Sequence, residues 1–543
     1  MTSLSAAIGA LCHAVTSARG WRRAAIAFVA GALSNLAMAP VFFAPILLLT
    51  LPVLVWLIDE AARHPTARQR FRSGAVAGWW LGFGYFLFGL FWIGEAFLVE
   101  AETFGWMLPF AVTLMPAGLA LFWGAAAGLA TLGWRRDIAR VLVLAILLAL
   151  AEWARGHVLT GFPWNVLGYA LTWPVLLMQG AGLVGIYGLT LVTVAVFATP
   201  LVALAERARK AHWRASAWPV ALLSVLPLAV LAGYGAARLA TAPDGVVEGV
   251  RLRLVQPSIP QRDKWRPETQ GEVFQAHLDL SRTDAAGHRD NLAGVTHVVW
   301  PEAAMPFLPL EHPEALQAIG ELLPDGAQLL TGALRRTPAA EGASPPWQAF
   351  NSLMVFDDGG RLGSVYDKTH LVPFGEYLPW QGVLEAIGLQ QLTRLRGGFA
   401  AGAVPRPTLA VAGLPAVGGL ICYEAIFPGV GAESAARPGV LVNVTNDGWF
   451  GNTTGPRQHF HQARVRAVEE GLPLVRVANN GISGVIDASG RVTGRIGLNV
   501  RGSLDAALPV ARVAPLYSSI GDGMLAVLAG LSLTVLLFRR GRT

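Results

Sequence analysis

The longest apolar stretch of this chain, residues 24–57, limits the possible folds more than any other feature. One membrane crossing takes about 20 apolar residues, so this stretch is too long for a single helix, and Pro40 interrupts it. It predicts two membrane-spanning helices joined by a tight turn. Six further apolar segments predict six more spans: 74–97, 107–132, 138–153, 175–204, 218–237 and 524–538. With 53% hydrophobic and 14% charged residues, the chain is too apolar for an ordinary soluble protein, so we expect a bundle of eight transmembrane helices.

The charges between these segments predict how the helices are oriented. Basic clusters follow the second, fourth, sixth and eighth segments, at residues 63–72, 135–140, 207–214 and 539–542, whereas glutamates follow the third. Because cytoplasmic loops carry the excess of Lys and Arg, both termini are expected in the cytoplasm and residues 242–516 on the far side. The net charge of +7 lies mostly in these loops, which argues against a nucleic-acid partner.

Residues 242–516 have the sequence pattern of an α/β domain. Short apolar or alternating runs predict strands at 250–254, 295–300, 328–331, 352–356, 440–444, 474–478 and 484–487, and helical patterns lie at 269–281, 313–323 and 458–470. Strands that alternate with helices indicate an α/β fold. The chain is therefore expected to divide into seven transmembrane helices in residues 1–241, one α/β domain in 242–516, and an eighth helix with a cytoplasmic tail in 517–543.

Three predicted strand ends in this domain carry ionisable side chains: one ends the run at 295–300, and the other two end the runs before Lys368 and Cys422, which are also interpreted as strands. The sequence WPE ends at Glu302, YDK ends at Lys368, and GLIC ends at Cys422. The carboxyl ends of strands are where α/β sheets place their active sites. Taken singly, each residue also has an ordinary interpretation as a helix cap, a solvated loop charge or a small core thiol. The other cysteine, Cys12, lies near the basic N-terminus, and nothing in the two contexts indicates a disulfide.

Together these three side chains form a set that nucleophilic catalysis requires. A thiol with a pKa of about 8.5 is mostly protonated at neutral pH, so a carboxylate such as Glu302 is needed to take its proton as it attacks a carbonyl. Lys368 then stabilises the sulfur anion and the oxyanion of the intermediate. Only Lys210, Lys264 and Lys368 are lysines among 42 basic residues. A compact ammonium fits between a carboxylate and a thiolate better than a forked guanidinium does.

Four motifs carry a family resemblance: WPEAAMPF, YDKTHLVPFGEYLP, GGLICYEAIFP and NVTNDGWFGNTTGPRQHFHQARVRAVEEGLPLVRVANNGISGVID. They resemble the nitrilase superfamily. LVPFGEY and NDGWFG, together with the eight predicted spans and the GFPW stretch at 161–164, resemble more narrowly the apolipoprotein N-acyltransferases of bacterial inner membranes. This resemblance covers most of the chain. It implies an αββα sandwich for the soluble domain, with Glu302, Lys368 and Cys422 as its catalytic triad.

The resemblance also implies a reaction and its partners. Cys422 is expected to take an acyl chain from a phospholipid, typically phosphatidylethanolamine, as a thioester. The amine of the N-terminal diacylglyceryl-cysteine of an apolipoprotein is then expected to attack that thioester. The implied location is the bacterial inner membrane, with the catalytic domain in the periplasm. No cofactor and no metal are expected, and His459 and His461 are interpreted as structural because no third ligand lies at a workable spacing.

Five further positions match functional residues of the family. Glu376 matches a second acidic residue near the lysine, and Tyr423 and Glu424 match residues that shape the pocket behind the nucleophile. Trp265 and Asn351 match positions that we assign to the organisation of substrate and loops. These roles are implied by the resemblance alone.

Two alternatives accompany this interpretation. A membrane-anchored nitrilase-type amidohydrolase has the same triad but lets water attack the thioester, and a channel or scaffold makes the three residues incidental. Eight spans favour lipid substrates over a simple anchor, and few charges lie within the membrane for an ion path.

The segment 380–395 has apolar residues at helical spacing, which is typical either of an amphipathic lid over the site or of an ordinary surface helix.

Overall fold

The computed structural model describes residues 2–135, 137–209, 220–284, 286–288, 291–339, 341, 346–386, 391–393, 398–429 and 434–540. The chain forms two compact units. A helical unit comprises Met1–Gly94, Met107–Thr241 and Ser519–Thr543, and an α/β unit comprises Glu95–Trp106 and Ala242–Ser518. The α/β unit therefore includes a short segment from the first half of the chain.

Each of the eight apolar segments contains a helix. Within the described residues, five helical stretches are long and apolar enough to cross a bilayer, or six if the bent pair Ala67–Gly89 and Phe91–Leu98 is one span. The helix at the first predicted span has only 15 residues. The apolar part of the last helix is Gly523–Leu537. Several apolar helices are thus present, while the number of eight spans stays a prediction. Residues 218 and 219, at the start of the seventh predicted span, lie outside the described residues.

The helices before the sandwich are α1 (Thr2–Ser17), α2 (Gly20–Ser34), α3 (Leu47–Ala61), α4 (Ala67–Gly89), α5 (Gly94–Leu98), α6 (Ala101–Phe104), α7 (Leu108–Ala130), α8 (Arg140–His157), α9 (Val175–Met178), α10 (Ala181–Arg209) and α11 (Leu226–Ala240). Those that follow are α12 (Gln261–Lys264), α13 (Gln270–Arg282), α14 (Pro313–Leu322), α15 (Gln381–Ala386), α16 (Gly455–Glu470), α17 (Leu516–Ile520) and α18 (Gly523–Arg540).

Charged side chains connect three helix ends within the helical unit. Arg140, at the start of α8, lies with its Nε 3.0 Å from the carboxylate of Asp59 in α3, and it also pairs with Glu206 in α10. The indole of Trp134 donates a hydrogen bond to Asp59 at 2.9 Å. These three helix ends therefore lie at the same end of the unit, which the alternation of the basic loops requires.

Two six-stranded sheets form the α/β unit. Their strand orders are β12-β1-β2-β3-β4-β5 and β11-β10-β9-β8-β7-β6. The runs β1-β2-β3 and β7-β8-β9 are parallel, and the outer strands are antiparallel. The strands are β1 (Val246–Gln256), β2 (His297–Trp300), β3 (Gln328–Pro338), β4 (Trp347–Phe356), β5 (Leu362–Asp367), β6 (Thr408–Leu409), β7 (Val417–Ile421), β8 (Val440–Thr445), β9 (Leu474–Ala478), β10 (Ser483–Ile486), β11 (Val492–Ile496) and β12 (Gly502–Pro509).

The two sheets pack face to face between layers of helices. Val299 of β2 and Val442 of β8 belong to one buried cluster between the sheets. Leu278 of α13 and Ile319 of α14 cover the outer face of the first sheet, and Phe460 of α16 covers the outer face of the second. Alternate residues of each strand face opposite sides, so every position of a central strand such as β2 is buried, because helices cover one face and a sheet covers the other. The layer order is the αββα sandwich that the motifs imply.

Candidate active site

Glu302 lies just beyond the carboxyl end of β2. The turn that carries it stays beside β3, because Gly332 N–H donates to the carbonyl of Pro301 at 3.1 Å and Ala304 N–H donates to the carbonyl of Gly332 at 2.8 Å. A side chain at position 332 would collide with the main chain of Glu302, so glycine is required for this close approach. The turn places the carboxyl group of Glu302 in a site where the residue is only 8% exposed.

Lys368 directly follows β5 and lies between two carboxylates. Its Nζ is 2.9 Å from Glu376 Oε1 and 3.9 Å from Glu302 Oε1. Asn351 on β4 donates from its Nδ2 to both carboxylates, at 2.8 Å to Glu302 and 3.1 Å to Glu376. Lys368 and Asn351 are both buried. Glu302 and Glu376 are therefore held close together by one shared ammonium and one shared amide.

Cys422 is the first residue after β7 and has a left-handed main-chain conformation, with φ of 50°. A non-glycine residue in this region costs about 1 kcal/mol or more, and such strain is typical of functional sites. The carbonyl of Cys422 accepts a hydrogen bond from His459 Nε2 at 3.1 Å. The thiol interacts with the hydroxyl of Thr445 and with the charges of Glu302 and Lys368. The structure thus brings the three predicted triad residues together in one buried site.

Burial and the neighbouring charges keep this thiol protonated at rest. Burial first, and then the negative charge of Glu302, raise the pKa of Cys422 well above its ordinary value. Burial also raises the pKa of Glu302, although the positive charge of Lys368 opposes the change. Burial works to lower the pKa of Lys368, but the carboxylates of Glu376 and Glu302 outweigh it and raise that pKa, so the ammonium stays charged. The sulfur therefore loses its proton as it attacks, and Glu302, with its increased proton affinity, is the group placed to receive it.

Glu424 joins the turn after β7 to the segment after β5. It is completely buried and accepts hydrogen bonds from the main-chain N–H groups of Ile421, Thr369 and His370, at 2.7, 2.9 and 3.1 Å. Its carboxylate also lies 3.2 Å from Nη1 of Arg406. Burial works to raise the pKa of Glu424, but the charge of Arg406 and these N–H groups lower it. An ionised Glu424 therefore fixes the two segments that carry the thiol and the ammonium.

Replacing Arg406 is expected to destabilise the α/β unit. Arg406→Met leaves the buried carboxylate of Glu424 without its cation, and breaking such a pair costs about 3–5 kcal/mol. Thermal unfolding of the purified protein in detergent, followed by tryptophan fluorescence, measures the effect. Arg361→Met is the matched control, because Arg361 pairs with Asp357 at 3.0 Å on the surface and its loss costs about 0–1 kcal/mol. Equal melting temperatures for Arg406→Met and the wild type would contradict this role.

Tyr423 and Trp265 contribute aromatic surface near the site. The ring of Tyr423 is buried and packs edge-on against Phe427, with centroids 5.0 Å apart, and against His370, at 5.8 Å. Trp265 follows α12 and is 41% exposed, with Nζ of Lys264 lying 5.9 Å from its ring centroid. The roles of both residues in substrate binding stay predictions.

Sequence reasoning missed two buried elements of the site. Lys264 donates from its Nζ to the main-chain carbonyl of Glu302 at 2.9 Å. Asp447 accepts a hydrogen bond from Arg476 at 2.8 Å and lies 2.8 Å from Nδ1 of His459, the residue that holds the carbonyl of the nucleophile. Burial works to raise the pKa of Asp447, but the charges of Arg476 and His459 lower it to about 2. The scarcity of lysine and the NDGWFG motif are the sequence signals from which these two residues could have been found.

The two histidines of α16 have different surroundings. His459 contacts the carboxylate of Asp447 and the main-chain carbonyl of Cys422. His461 is buried as well, and this burial lowers the pKa of its imidazole to about 3. Within the described residues, no group of three or more His, Cys, Asp or Glu side chains is arranged to hold a metal ion.

The predicted lid, residues 380–395, is only partly described. Its helix, α15, has six residues and no buried side chain. Trp380 is 80% exposed and Val383 is 67% exposed. Ile387 and Leu389, on which the amphipathic pattern depends, lie outside the described residues. The choice between a lid and a surface helix therefore stays a hypothesis.

Comparison with known proteins identifies the family. The family model for the apolipoprotein N-acyltransferase N-terminal domain matches residues 30–199, and the model for carbon-nitrogen hydrolases matches residues 251–517. A protein of Rhodopseudomonas palustris named apolipoprotein N-acyltransferase is 47% identical over 521 residues, which is 96% of each chain. The chain belongs to the apolipoprotein N-acyltransferase family. Relatives of the same name from Bradyrhizobium diazoefficiens and Brucella suis are 48% and 43% identical over 96% and 91% of each chain.

Membership of the apolipoprotein N-acyltransferase family confirms the resemblance read from the motifs. The match to carbon-nitrogen hydrolases agrees with the two-sheet sandwich and with a nitrilase-type enzyme that uses a cysteine. The apolar helices and the family together identify a membrane protein. An acyltransferase is thereby favoured over an amidohydrolase, which none of the named relatives is said to be.

Proposed function

We propose that this chain transfers a fatty acyl group from a phospholipid, through a thioester on Cys422, to the N-terminal amine of a diacylglyceryl-cysteine apolipoprotein. The observation that carries the proposal is the meeting of a thiol, a carboxylate and an ammonium in one buried site of a protein with several apolar helices. The relatives' name supplies the acceptor class. The donor, phosphatidylethanolamine, is supported by the family resemblance.

In the first half-reaction, the sulfur of Cys422 attacks the carbonyl carbon of a phospholipid ester while its proton passes to Glu302. The tetrahedral oxyanion collapses, the carbon–oxygen bond breaks, and the leaving alkoxide takes the proton from Glu302. The products are a thioester on Cys422 and a lysophospholipid. Lys368 stabilises the negative charge of the intermediate, and a charged donor in such a dry site is worth about 3 kcal/mol.

In the second half-reaction, the free α-amine of the acceptor attacks the thioester carbonyl. Glu302 accepts a proton from the amine, the carbon–sulfur bond breaks, and the proton returns to the departing sulfur. The product is an amide, and the thiol is regenerated. Burial of Cys422 and Glu302 favours this route over hydrolysis, because it limits the access of water to the thioester.

We propose further that the chain crosses the bacterial inner membrane eight times, with both termini in the cytoplasm. Seven helices would lie in residues 1–241, the periplasmic catalytic domain in 242–516, and the eighth helix and cytoplasmic tail in 517–543. The distribution of arginine in the loops supports this topology. The contacts among Arg140, Asp59 and Glu206 also support it, since they join three ends predicted to share one side.

A reconstituted assay tests the proposed function. The purified full chain is incorporated into vesicles that contain phosphatidylethanolamine labelled in one acyl chain, and a diacylglyceryl-cysteine lipopeptide is added. We expect the labelled N-acyl lipopeptide and the lysophospholipid to form in equal amounts. Release of labelled free fatty acid without N-acylation of the lipopeptide would contradict the proposal and support the hydrolase alternative.

A further inference from the structure

Lys264 is a second buried lysine in the same site. The chain uses arginine at 39 of its 42 basic positions, yet two of its three lysines are buried beside Glu302. Lys264 ends the short helix α12, is 1% exposed, and donates from Nζ to the main-chain carbonyl of Glu302 at 2.9 Å. A buried ammonium is costly unless its charge is compensated or used. This position therefore requires a physical explanation.

The hydrogen bond that Lys264 donates does not neutralise the positive charge of its ammonium group, which therefore acts on the reacting groups. Nζ donates to a neutral carbonyl and not to a carboxylate. Its charge interacts with the Glu302 carboxylate and with the sulfur of Cys422, and it also acts on His277 of α13. Burial lowers the pKa of His277 to about 3, so this imidazole stays neutral while the enzyme works. Glu302 and Cys422 are thus the groups that respond to the charge of Lys264.

The total charge of the site shows what this ammonium contributes. At rest, the carboxylates of Glu302 and Glu376 are balanced by Lys264 and Lys368, and the thiol is neutral. When the proton moves from the sulfur of Cys422 to Glu302, the thiolate and Glu376 are still balanced by two ammonium groups. Without Lys264, the buried site would hold one uncompensated negative charge both at rest and during attack, and charges interact strongly where water is excluded. Burial raises the pKa of Glu302 and the charge of Lys264 opposes this rise, so loss of that charge favours the protonated carboxyl group, which cannot accept the proton of the thiol.

We propose that Lys264 is a positioning residue that anchors the main chain of Glu302 and supplies the second positive charge that sulfur attack requires. The inference rests on the proposed function, because it assigns Lys264 to the same acylation step. Lys264 acts through Glu302 and through the field of its charge, and not by contact with the substrate.

Burial lowers the pKa of Lys264 to about 8, with the charges of Glu302 and Cys422 opposing the change. The ammonium is therefore present below this pH and is lost as the pH rises through it. Lys368, whose pKa is raised, keeps its charge over the same range. The rate of acylation of Cys422 should consequently fall as the pH rises through 8.

The test compares wild type with Lys264→Gln, which keeps an N–H donor for the Glu302 carbonyl but removes the charge. Single-turnover acylation of Cys422 by phospholipid is expected to slow by about tenfold or more, and its fall around pH 8 should disappear. Arg262→Gln is the matched control, because Arg262 lies on the same short helix with its side chain 72% exposed. It should behave as wild type.

A second measurement separates this inference from the proposed function. Iodoacetamide alkylates the thiol of Cys422 without any lipid, and Cys12→Ala removes the other thiol from the assay. Lys264→Gln should slow alkylation of Cys422, even if the wild type forms no acyl-enzyme and the proposed function fails. Unchanged alkylation and acylation in Lys264→Gln would overturn the inference. If that variant does not fold, a wild-type acylation rate that stays constant through pH 8 would overturn it.

Discussion

Cys422→Ala is expected to abolish transfer of the acyl group to the lipopeptide. The sulfur is the atom that carries the acyl group between the two substrates, so its removal should lower the rate by about 10⁴-fold or more. The vesicle assay with labelled phospholipid measures the loss. Cys12→Ala is the matched control, since Cys12 is also buried but lies in α1, within the helical unit. Transfer by Cys422→Ala at the wild-type rate would refute a cysteine mechanism.

Glu302→Gln should have the second-largest effect. The amide keeps an oxygen that can accept the hydrogen bond from Asn351, yet it cannot take a proton from the thiol of Cys422. Loss of general-base catalysis lowers a rate by about 10²–10⁴-fold, and we expect the rate of thioester formation to decrease within this range. Rapid-quench measurement of the acyl-enzyme gives this rate directly.

The control for Glu302→Gln is Glu314→Gln, which neutralises a carboxylate whose side chain is 74% exposed in the same unit. Glu314→Gln should melt at the wild-type temperature. Glu302→Gln removes one partner of buried ammonium groups and should melt lower, so all rates are compared at a temperature at which both variants are folded. If thioester formation in Glu302→Gln stays within about threefold of wild type, another group serves as the base.

The sequence predicted the central strands of the sandwich because they are buried on both faces. β2, β8 and β9 are mostly apolar and are buried at every position, and the structure contains all three. β6, β11 and β12 were not predicted. β6 has only two residues, and β11 and β12 lie at or near sheet edges with many half-exposed positions. Edge strands therefore carry too little apolar periodicity to be recognised from one sequence.

The site shows the same limit of sequence reasoning. Glu302, Lys368 and Cys422 each follow a strand, so the sequence could place each of them at the carboxyl end of a strand. Their convergence also depends on how the two sheets pack, because β7 lies in the other sheet from β2 and β5, and β5 is antiparallel to its neighbour β4. The amide of Asn351 bridges Glu302 and Glu376, which lie 49 and 25 positions away along the chain, and no local pattern encodes such a bridge. Lys264 reaches Glu302 across 38 positions in the same way. Only the composition indicated that lysine was unusual here.

Burial and the neighbouring charges determine the protonation state of the Cys422 thiol in the resting enzyme. A thiolate formed in advance would have required the pKa of Cys422 to be lowered, whereas burial and the charge of Glu302 raise it. The resting enzyme therefore holds a neutral thiol beside a base and an ammonium, and the sulfur becomes anionic only when a carbonyl is present to receive it. This arrangement protects the thiol from reactions with other electrophiles.

The central claim is that the acyl group rests on the sulfur of Cys422 between donor and acceptor. The most direct measurement is mass spectrometry of the Cys422 peptide after the purified chain is incubated with a phospholipid of one defined acyl chain and no acceptor. We predict an increase equal to that acyl group, removed by neutral hydroxylamine and lost when the lipopeptide is added. An unmodified Cys422 in a preparation that acylates the lipopeptide, or an acyl group on a different residue, would contradict the mechanism.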